Sequence, residues 1–200
     1  MRTLIFAKIE FMKLNKKIVL FLLIIIAVSV LYRVSPLRDY GFAPQLAIAL
    51  FSGYLFSNNK KWAFLLPILS MFLSDVIFEI LYHYNLSDMK GFYGYGQILN
   101  YSFFIVVTAI GFLIKKANFI RIATASIVGP TLYFLISNFS VWMGGGGYGH
   151  AKDLTGLIAC MADGLPFYKN SLVGTLLFST ILFGSYYFIN RKVSQEILTN

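Results

Sequence analysis

Three ionisable side chains lie at a regular spacing within one apolar segment of the sequence. Asp75, Glu79 and His83 follow one another at intervals of four residues, which places them along roughly one face of a helix. Ionisable residues in an apolar helix are costly and usually mark a site or a pathway. Two carboxylates and an imidazole at this spacing can bind a metal or another cation, or relay protons. Alternatively, Asp75 bonds to neighbouring helices, and Glu79 and His83 simply lie in the interfacial region.

Neutral polar and aromatic residues accompany these groups in other apolar segments. Asn138 lies near the end of one segment, and Asn100 lies near the start of another. A pocket that is mostly apolar with a few convergent polar groups is the usual form of a small-molecule site. The alternatives are that the amides bond across helices and that the aromatics form an interfacial belt. The candidate substrate-binding residues are Asp75, Asn138, Trp142, Tyr148, Asn100, Glu79 and His83.

The amino-acid composition indicates whether water or lipid surrounds these residues. Only 12% of residues are charged and 58% are hydrophobic, with a mean hydropathy of +0.72, whereas globular proteins have roughly 25% charged residues. Lipid must therefore solvate much of the chain, and spanning segments must be helices or a closed barrel. Continuous apolar runs, such as residues 18–26, favour helices over the alternating strands of a barrel. We expect an all-α polytopic membrane protein.

Six apolar segments supply the helices that must position the candidate residues. A helix that crosses a hydrocarbon core of roughly 30 Å needs about 20 residues, and roughly 17 suffice. The predicted spans are 18–34, 42–57, 62–82, 97–114, 119–142 and 170–190. They form one membrane domain over residues 18–190, between a basic N-terminus, 1–17, and a tail, 191–200.

The basic residues orient these spans. Of the 17 Lys and Arg residues, 12 lie in the N-terminus, the second and fourth loops and the tail. The positive-inside rule then predicts six helices with both ends in the cytoplasm. The charges form short clusters rather than one patch, so the net charge of +9 does not indicate nucleic acid. Alternatively, residues 1–29 are a cleaved signal peptide.

The loops on the predicted external side contain the unusual sequence. Four consecutive glycines at 144–147 predict a flexible or tightly turned backbone. We expect Asp153 to cap a short external amphipathic helix, which Gly164 and Pro166 then end. The single cysteine, Cys160, is interpreted as a small packing residue, because no disulfide framework or paired-cysteine metal site exists within the chain.

Small residues recur in the second predicted span. Ala43 and Ala47, and Ala49 and Gly53, form two small-xxx-small pairs. Such faces permit close contact with a helix of the same chain or of a partner. We predict that these four residues dock a partner protein.

Motifs for hydrolysis are missing from the sequence. It contains no Walker lysine loop, no His-Glu-x-x-His and no Gly-x-Ser-x-Gly. We therefore expect neither an enzyme nor a bound cofactor. An intramembrane enzyme that uses Asp75, Glu79 and His83 as metal or acid–base residues is an alternative.

Several short motifs together resemble a known family. Residues 42–53, Leu66-Pro67, residues 73–75, residues 137–142 and residues 165–167, with Gly156 and Cys160 between, resemble a bacterial family of membrane transport proteins of unknown function. The resemblance covers roughly residues 33–180. That family in turn looks like the S components of energy-coupling factor transporters, which bind a vitamin or a metal ion among six helices.

The resemblance implies a substrate-binding subunit that captures a vitamin-like solute or a cation in an outward-facing pocket. It also implies a transmembrane coupling protein and ATPase subunits as partners. The sequence lacks the His-rich N-terminus of the cobalt and nickel relatives, which argues against those ions. The alternative is a non-transporting membrane subunit whose external loops dock a partner protein, without a cavity between spans three, four and five.

Overall fold

The computed structural model describes residues 16–115 and 117–199, and side chains as far as residue 191. That part of the chain is all-α, with six helices in this order: α1 Lys16–Val34, α2 Gln45–Leu55, α3 Lys60–His83, α4 Tyr95–Gly111, α5 Phe119–Met143 and α6 Leu154–Thr199. The predicted N-terminus, 1–17, lies outside the described residues except for its last two.

Four of these helices, α1, α3, α5 and α6, are long and apolar enough to cross a membrane, whereas α2 and α4 are shorter apolar helices. The outer surface is suited to lipid. On α1, for example, Leu20 and Leu31 are 58% and 65% exposed, and continuous apolar surface of this kind needs a lipid neighbour. The chain is a multi-pass helical membrane protein. That all six helices cross the membrane stays a prediction.

The first five helices begin and end within three residues of the predicted spans. Pro44 directly precedes α2, where its missing N–H costs little. The side chain of Asn118 caps α5 by accepting a hydrogen bond from the backbone N–H of Arg121 at 2.9 Å. Pro67 and Pro130 lie inside α3 and α5, as predicted.

The sixth helix corrects one prediction. The external helix does begin after Asp153, whose Oδ1 accepts the N–H of Gly156 at 2.7 Å. It does not end at Gly164 or Pro166, because α6 continues through both for 46 residues. A proline usually breaks a helix, but here α6 packs extensively against α5. Gly164 permits that contact, since a Cβ there would lie 2.4 Å from Oδ1 of Asn138.

The shortest helix, α2, lies at the centre of the bundle and contacts α3, α4, α5 and α6. Ala47 and Ala49 are fully buried, and a Cβ on Gly53 would lie 2.2 Å from the carbonyl oxygen of Thr108. The small residues therefore permit close contact within the chain. This corrects the predicted docking surface, because Ala47, Ala49 and Gly53 are covered by the chain's own helices. Ala43 precedes α2 and is half-buried.

Candidate functional site

The carboxylate of Asp75 is the most deeply buried charge among the described residues, with 1% of the residue exposed. Its Oδ1 lies 2.5 Å from Nη1 of Arg33. Its Oδ2 accepts hydrogen bonds from the Tyr101 hydroxyl at 2.6 Å and the Gln97 amide at 2.9 Å. Residues of α1 and α4 thus supply three donors, which is what a buried carboxylate requires.

The pairing of Arg33 with Asp75 follows from their depth in the bundle. Arg33 lies 17 residues after the start of α1, and Asp75 lies 15 residues after the start of α3. At about 1.5 Å per residue, both lie about 22–26 Å along their helices. Arg33 also donates to the hydroxyl of Ser74 and to the carbonyl of Met71. Each partner is stabilised by the other's charge.

The other two members of the α3 series have separate roles. Oε2 of Glu79 accepts the N–H groups of Gly91 and Phe92, both at 3.0 Å. Gly91 needs to be glycine, because a Cβ there would lie 1.8 Å from the carbonyl oxygen of Asp75. Glu79 therefore holds the α3–α4 loop against α3. His83 is exposed at the end of α3, with its ring centroid 5.5 Å from that of Tyr84.

Asp75, Glu79 and His83 share a helix face but do not converge on one ligand position. Within residues 16–115 and 117–199, no group of three His, Cys, Asp or Glu residues is placed to hold a metal. The metal chemistry that the spacing allowed therefore has no assembled site in this part of the chain.

A cavity of about 150 Å³ lies beside the Arg33–Asp75 pair. We call it the two-arginine pocket. Each of the six helices contributes at least one residue to its wall, and so does the α1–α2 loop. The lining residues are Arg33, Arg38, Gly41, Ala43, Gln45, Leu46, Met71, Asn100, Phe104, Tyr133 and Ser171. The pocket lies at the end of the bundle that the charge distribution predicts to be external.

Of the seven substrate-binding residues predicted from the sequence, Asn100 lines the two-arginine pocket. Arg33, the partner of Asp75, lines it as well. Oδ1 of Asn100 accepts the hydroxyl of Tyr133 at 2.6 Å, and its Nδ2 donates to the hydroxyl of Tyr93 at 3.0 Å. Asn100 thus joins α4 to α5 and to the α3–α4 loop. Burial raises the pKa of Tyr93 above its ordinary value, and the negative charge of Asp75 raises it further.

Three other candidates lie elsewhere, between α5 and α6. Asn138 donates to the carbonyl of Phe134 on its own helix at 2.9 Å, and its side chain packs on Gly164. Trp142 donates its indole N–H to the carbonyl of Ala151 at 2.8 Å. Tyr148 is 83% exposed. None of the three predicted residues Asn138, Trp142 and Tyr148 lines the two-arginine pocket.

The loop that carries Tyr148 is tightly turned, which was one of the two predicted forms. Gly145, Gly147 and Gly149 have φ angles between +64° and +71°, a conformation in which glycine is favoured. Next to it, the imidazole of His150 lies 2.5 Å from the carboxylate of Asp163. Cys160 is buried, with its thiol 3.6 Å from the carbonyl of Asn138, as expected of a packing residue.

Sequence reasoning missed Gln45 and Tyr133, and it used Arg33 and Arg38 only in the charge count that orients the spans. Arg38 is half-buried beside Arg33, and both burial and the neighbouring charge of Arg33 lower its pKa. Gln45 is buried at the start of α2. The sequence did contain one signal for the pairing of Arg33 with Asp75. Arg33 lies at the end of an apolar helix, at the same depth as Asp75, and a carboxylate inside a membrane requires a cation.

A second cavity, of about 360 Å³, lies at the opposite end of the bundle between α2, α5 and α6. Its wall is mainly aromatic and aliphatic, and it includes Tyr54, Phe183 and Tyr186. None of the residues that the sequence suggested as binding residues lies in this wall.

Residues 12–196 match the model described as "Family of unknown function (DUF6580)". The match spans almost the whole chain, including every residue of both cavities. No curated protein matches the sequence, and neither does any solved structure.

Proposed function

The chain belongs to DUF6580, a family of unknown function, and from that premise we propose that it is a membrane subunit that binds a small solute in the two-arginine pocket. One observation carries the proposal: residues from all six helices meet around this one cavity. A cavity that exists only as a packing defect between two helices does not need such convergence. Ligand sites do, because they combine apolar walls with a few oriented polar groups.

The cavity also favours solute binding over the alternative function of a subunit that only docks a partner. That alternative predicts no cavity between α3, α4 and α5, whereas Met71, Asn100 and Tyr133 of these helices line one. We place the pocket on the external side of a bacterial inner membrane, with both chain ends in the cytoplasm and the chain crossing the membrane six times. In this arrangement the protein captures its solute from outside.

We further propose that a separate protein supplies the energy for transport, as the resemblance to S components implies. The described part of the chain offers no nucleotide-binding motif, and Asp75 is occupied by Arg33, Tyr101 and Gln97, which argues against Asp75 as an ion carrier. Copurification of ATPase subunits with the protein from its own host would support this proposal. Uptake driven by a pH gradient in vesicles that contain the protein alone would contradict it.

A pair of asparagines tests the site itself. Asn100 lines the pocket, whereas Asn138 lies in the outer part of α5 without reaching it. The wild-type protein, Asn100→Ala and Asn138→Ala are purified, denatured and analysed by mass spectrometry for a released solute. We expect near-stoichiometric solute from the wild type and Asn138→Ala. Asn100→Ala should retain roughly tenfold less, because one or two hydrogen bonds around the pocket are lost.

The proposal fails if the wild type releases no solute above the level of an unrelated membrane protein purified in parallel. It also fails if Asn100→Ala and Asn138→Ala retain equal amounts.

A further inference from the structure

The wall of the two-arginine pocket has an unbalanced positive charge. Arg33 is neutralised by Asp75 at 2.5 Å. Arg38 donates to two backbone carbonyls, that of Arg33 at 3.0 Å and that of Asp39 at 3.4 Å. Among the described residues, no carboxylate forms an ion pair with Arg38. The pocket therefore presents one guanidinium whose charge the protein does not offset.

The same wall contains a buried acceptor without a donor. Gln45 is 4% exposed, and its Nε2 donates to the carbonyl of Ser29 at 3.2 Å. That bond fixes the orientation of the amide, because a carbonyl can accept only from the nitrogen end. Oε1 of Gln45 is left without a hydrogen-bond partner. Buried acceptors are normally satisfied, and an orphaned one calls for an explanation.

Resting on the proposed function, we infer that the solute is a small anion that also carries a hydrogen-bond donor. Its anionic group pairs with Arg38, and its donor satisfies Oε1 of Gln45. Guanidinium groups bind carboxylates and phosphates through charge-assisted hydrogen bonds. The volume of about 150 Å³ is smaller than the roughly 300–1,000 Å³ of sites for drug-sized ligands. A compact hydroxy acid fits these requirements.

The charges around the pocket argue against a cation. The groups that face it from the packed elements are Arg33 on α1, Arg38 on the α1–α2 loop and, behind Arg33, Asp75 on α3. A cationic solute would meet two guanidinium groups, and the one carboxylate is already paired. The lowered pKa of Arg38, caused by burial and by Arg33, agrees with a local excess of positive charge.

The first test uses the charge of the retained solute. If the wild-type protein releases a solute and that solute is neutral or cationic, this inference is overturned while the proposed function stands. If no solute is released, the proposed function itself fails. A retained anionic phospholipid would overturn the inference of a soluble anion, and extraction into organic solvent separates that outcome from a water-soluble acid.

The second test uses three probes of similar size: lactate, lactamide and 1-amino-2-propanol. They carry an anionic, a neutral and a cationic group next to the same hydroxyl. We expect lactate to raise the melting temperature of the purified full-length protein most. An equal or larger effect of the neutral or cationic probe, or no effect of any probe, would overturn the inference.

Variants of Arg38 connect the effect to the pocket. Arg38→Gln should weaken lactate binding roughly 10- to 100-fold, because a charge-assisted hydrogen bond is lost. Arg38→Lys should have an intermediate effect, since it keeps the charge but not the planar fork. Arg121→Gln is the matched control, because Arg121 is exposed and lies outside the pocket. Similar lactate affinity in Arg38→Gln and Arg121→Gln would overturn the inference, provided both variants are monodisperse.

Discussion

Asp75 and Asn138 are alike in the sequence and different in the structure. Each is a polar residue in an apolar helix, and each lies towards the same end of the bundle. Asp75 contacts side chains from α1 and α4, whereas Asn138 satisfies its amide on its own helix and packs against a glycine of α6. One polar residue therefore joins three helices beside a cavity, and the other permits two helices to pack closely.

The difference shows what marks a site inside a membrane protein. A polar side chain in lipid must find partners, and a helix backbone can supply them locally. Only a group that the local backbone cannot satisfy, such as a carboxylate, brings together donors from other helices. Convergence of partners, more than polarity alone, distinguishes the end of the bundle that contains the two-arginine pocket.

The largest expected effect comes from breaking the Asp75 group. Arg33→Gln should destabilise the protein by about 3–5 kcal/mol, because it leaves the buried carboxylate without its cation. Arg33→Gln combined with Asp75→Asn should recover at least half of this loss, since no unpaired charge remains. Thermal and chemical unfolding in one detergent measure both. A double variant as unstable as Arg33→Gln alone would show that the ion pair is not the cause.

A smaller effect is expected at the Asn138 contact. Gly164→Ala should cost about 1–3 kcal/mol through overpacking, because its Cβ would lie 2.4 Å from Oδ1 of Asn138. Asn138→Ala in the same protein should relieve most of this cost. Gly184→Ala is the control on α6, since nothing lies within 4 Å of a Cβ there. Equal destabilisation by Gly164→Ala with and without Asn138 would contradict the packing role.

The smallest effect is expected at Glu79. Its carboxylate accepts hydrogen bonds from the adjacent α3–α4 loop, whereas Asp75 binds donors from other helices and Asn138 donates to its own helix. Glu79→Gln keeps an acceptor but removes the charge, so we expect a loss of about 0.5–1.5 kcal/mol, the range of a single hydrogen bond. The change should be local, with faster amide hydrogen exchange at Gly91 and Phe92. His83→Gln serves as the control, because His83 is exposed at the end of α3. Unchanged exchange at Gly91 and Phe92 would show that Glu79 does not hold the loop.

Much of the fold could be predicted because lipid imposes a simple rule on helices. Continuous apolar runs gave five helices to within three residues at each end. The error at α6 had a physical cause: Gly164 and Pro166 are breaking signals for an isolated helix, and the α5 surface that supports α6 is not visible in local sequence.

The site was harder to predict than the helices. The spacing of Asp75, Glu79 and His83 correctly predicted one helix face, but a face does not specify its neighbours. Arg33 is 42 positions from Asp75, and Gln45 and Tyr133 belong to helices whose rotation the sequence does not reveal. For the same reason, the depth of Asn138 was predictable from the sequence and the direction of its side chain was not.

The burial of α2 has a further consequence for how the protein responds to its bilayer. Eleven residues extend for about 17 Å, well short of a hydrocarbon core of roughly 30 Å. A lipid-facing helix of that length would force the membrane to thin or the helix to shift, at a cost for each ångström of mismatch. Because α2 is enclosed by other helices, its length is matched to protein neighbours instead. A change in membrane thickness should therefore tilt the outer helices first and leave Gln45, at the start of α2, in place.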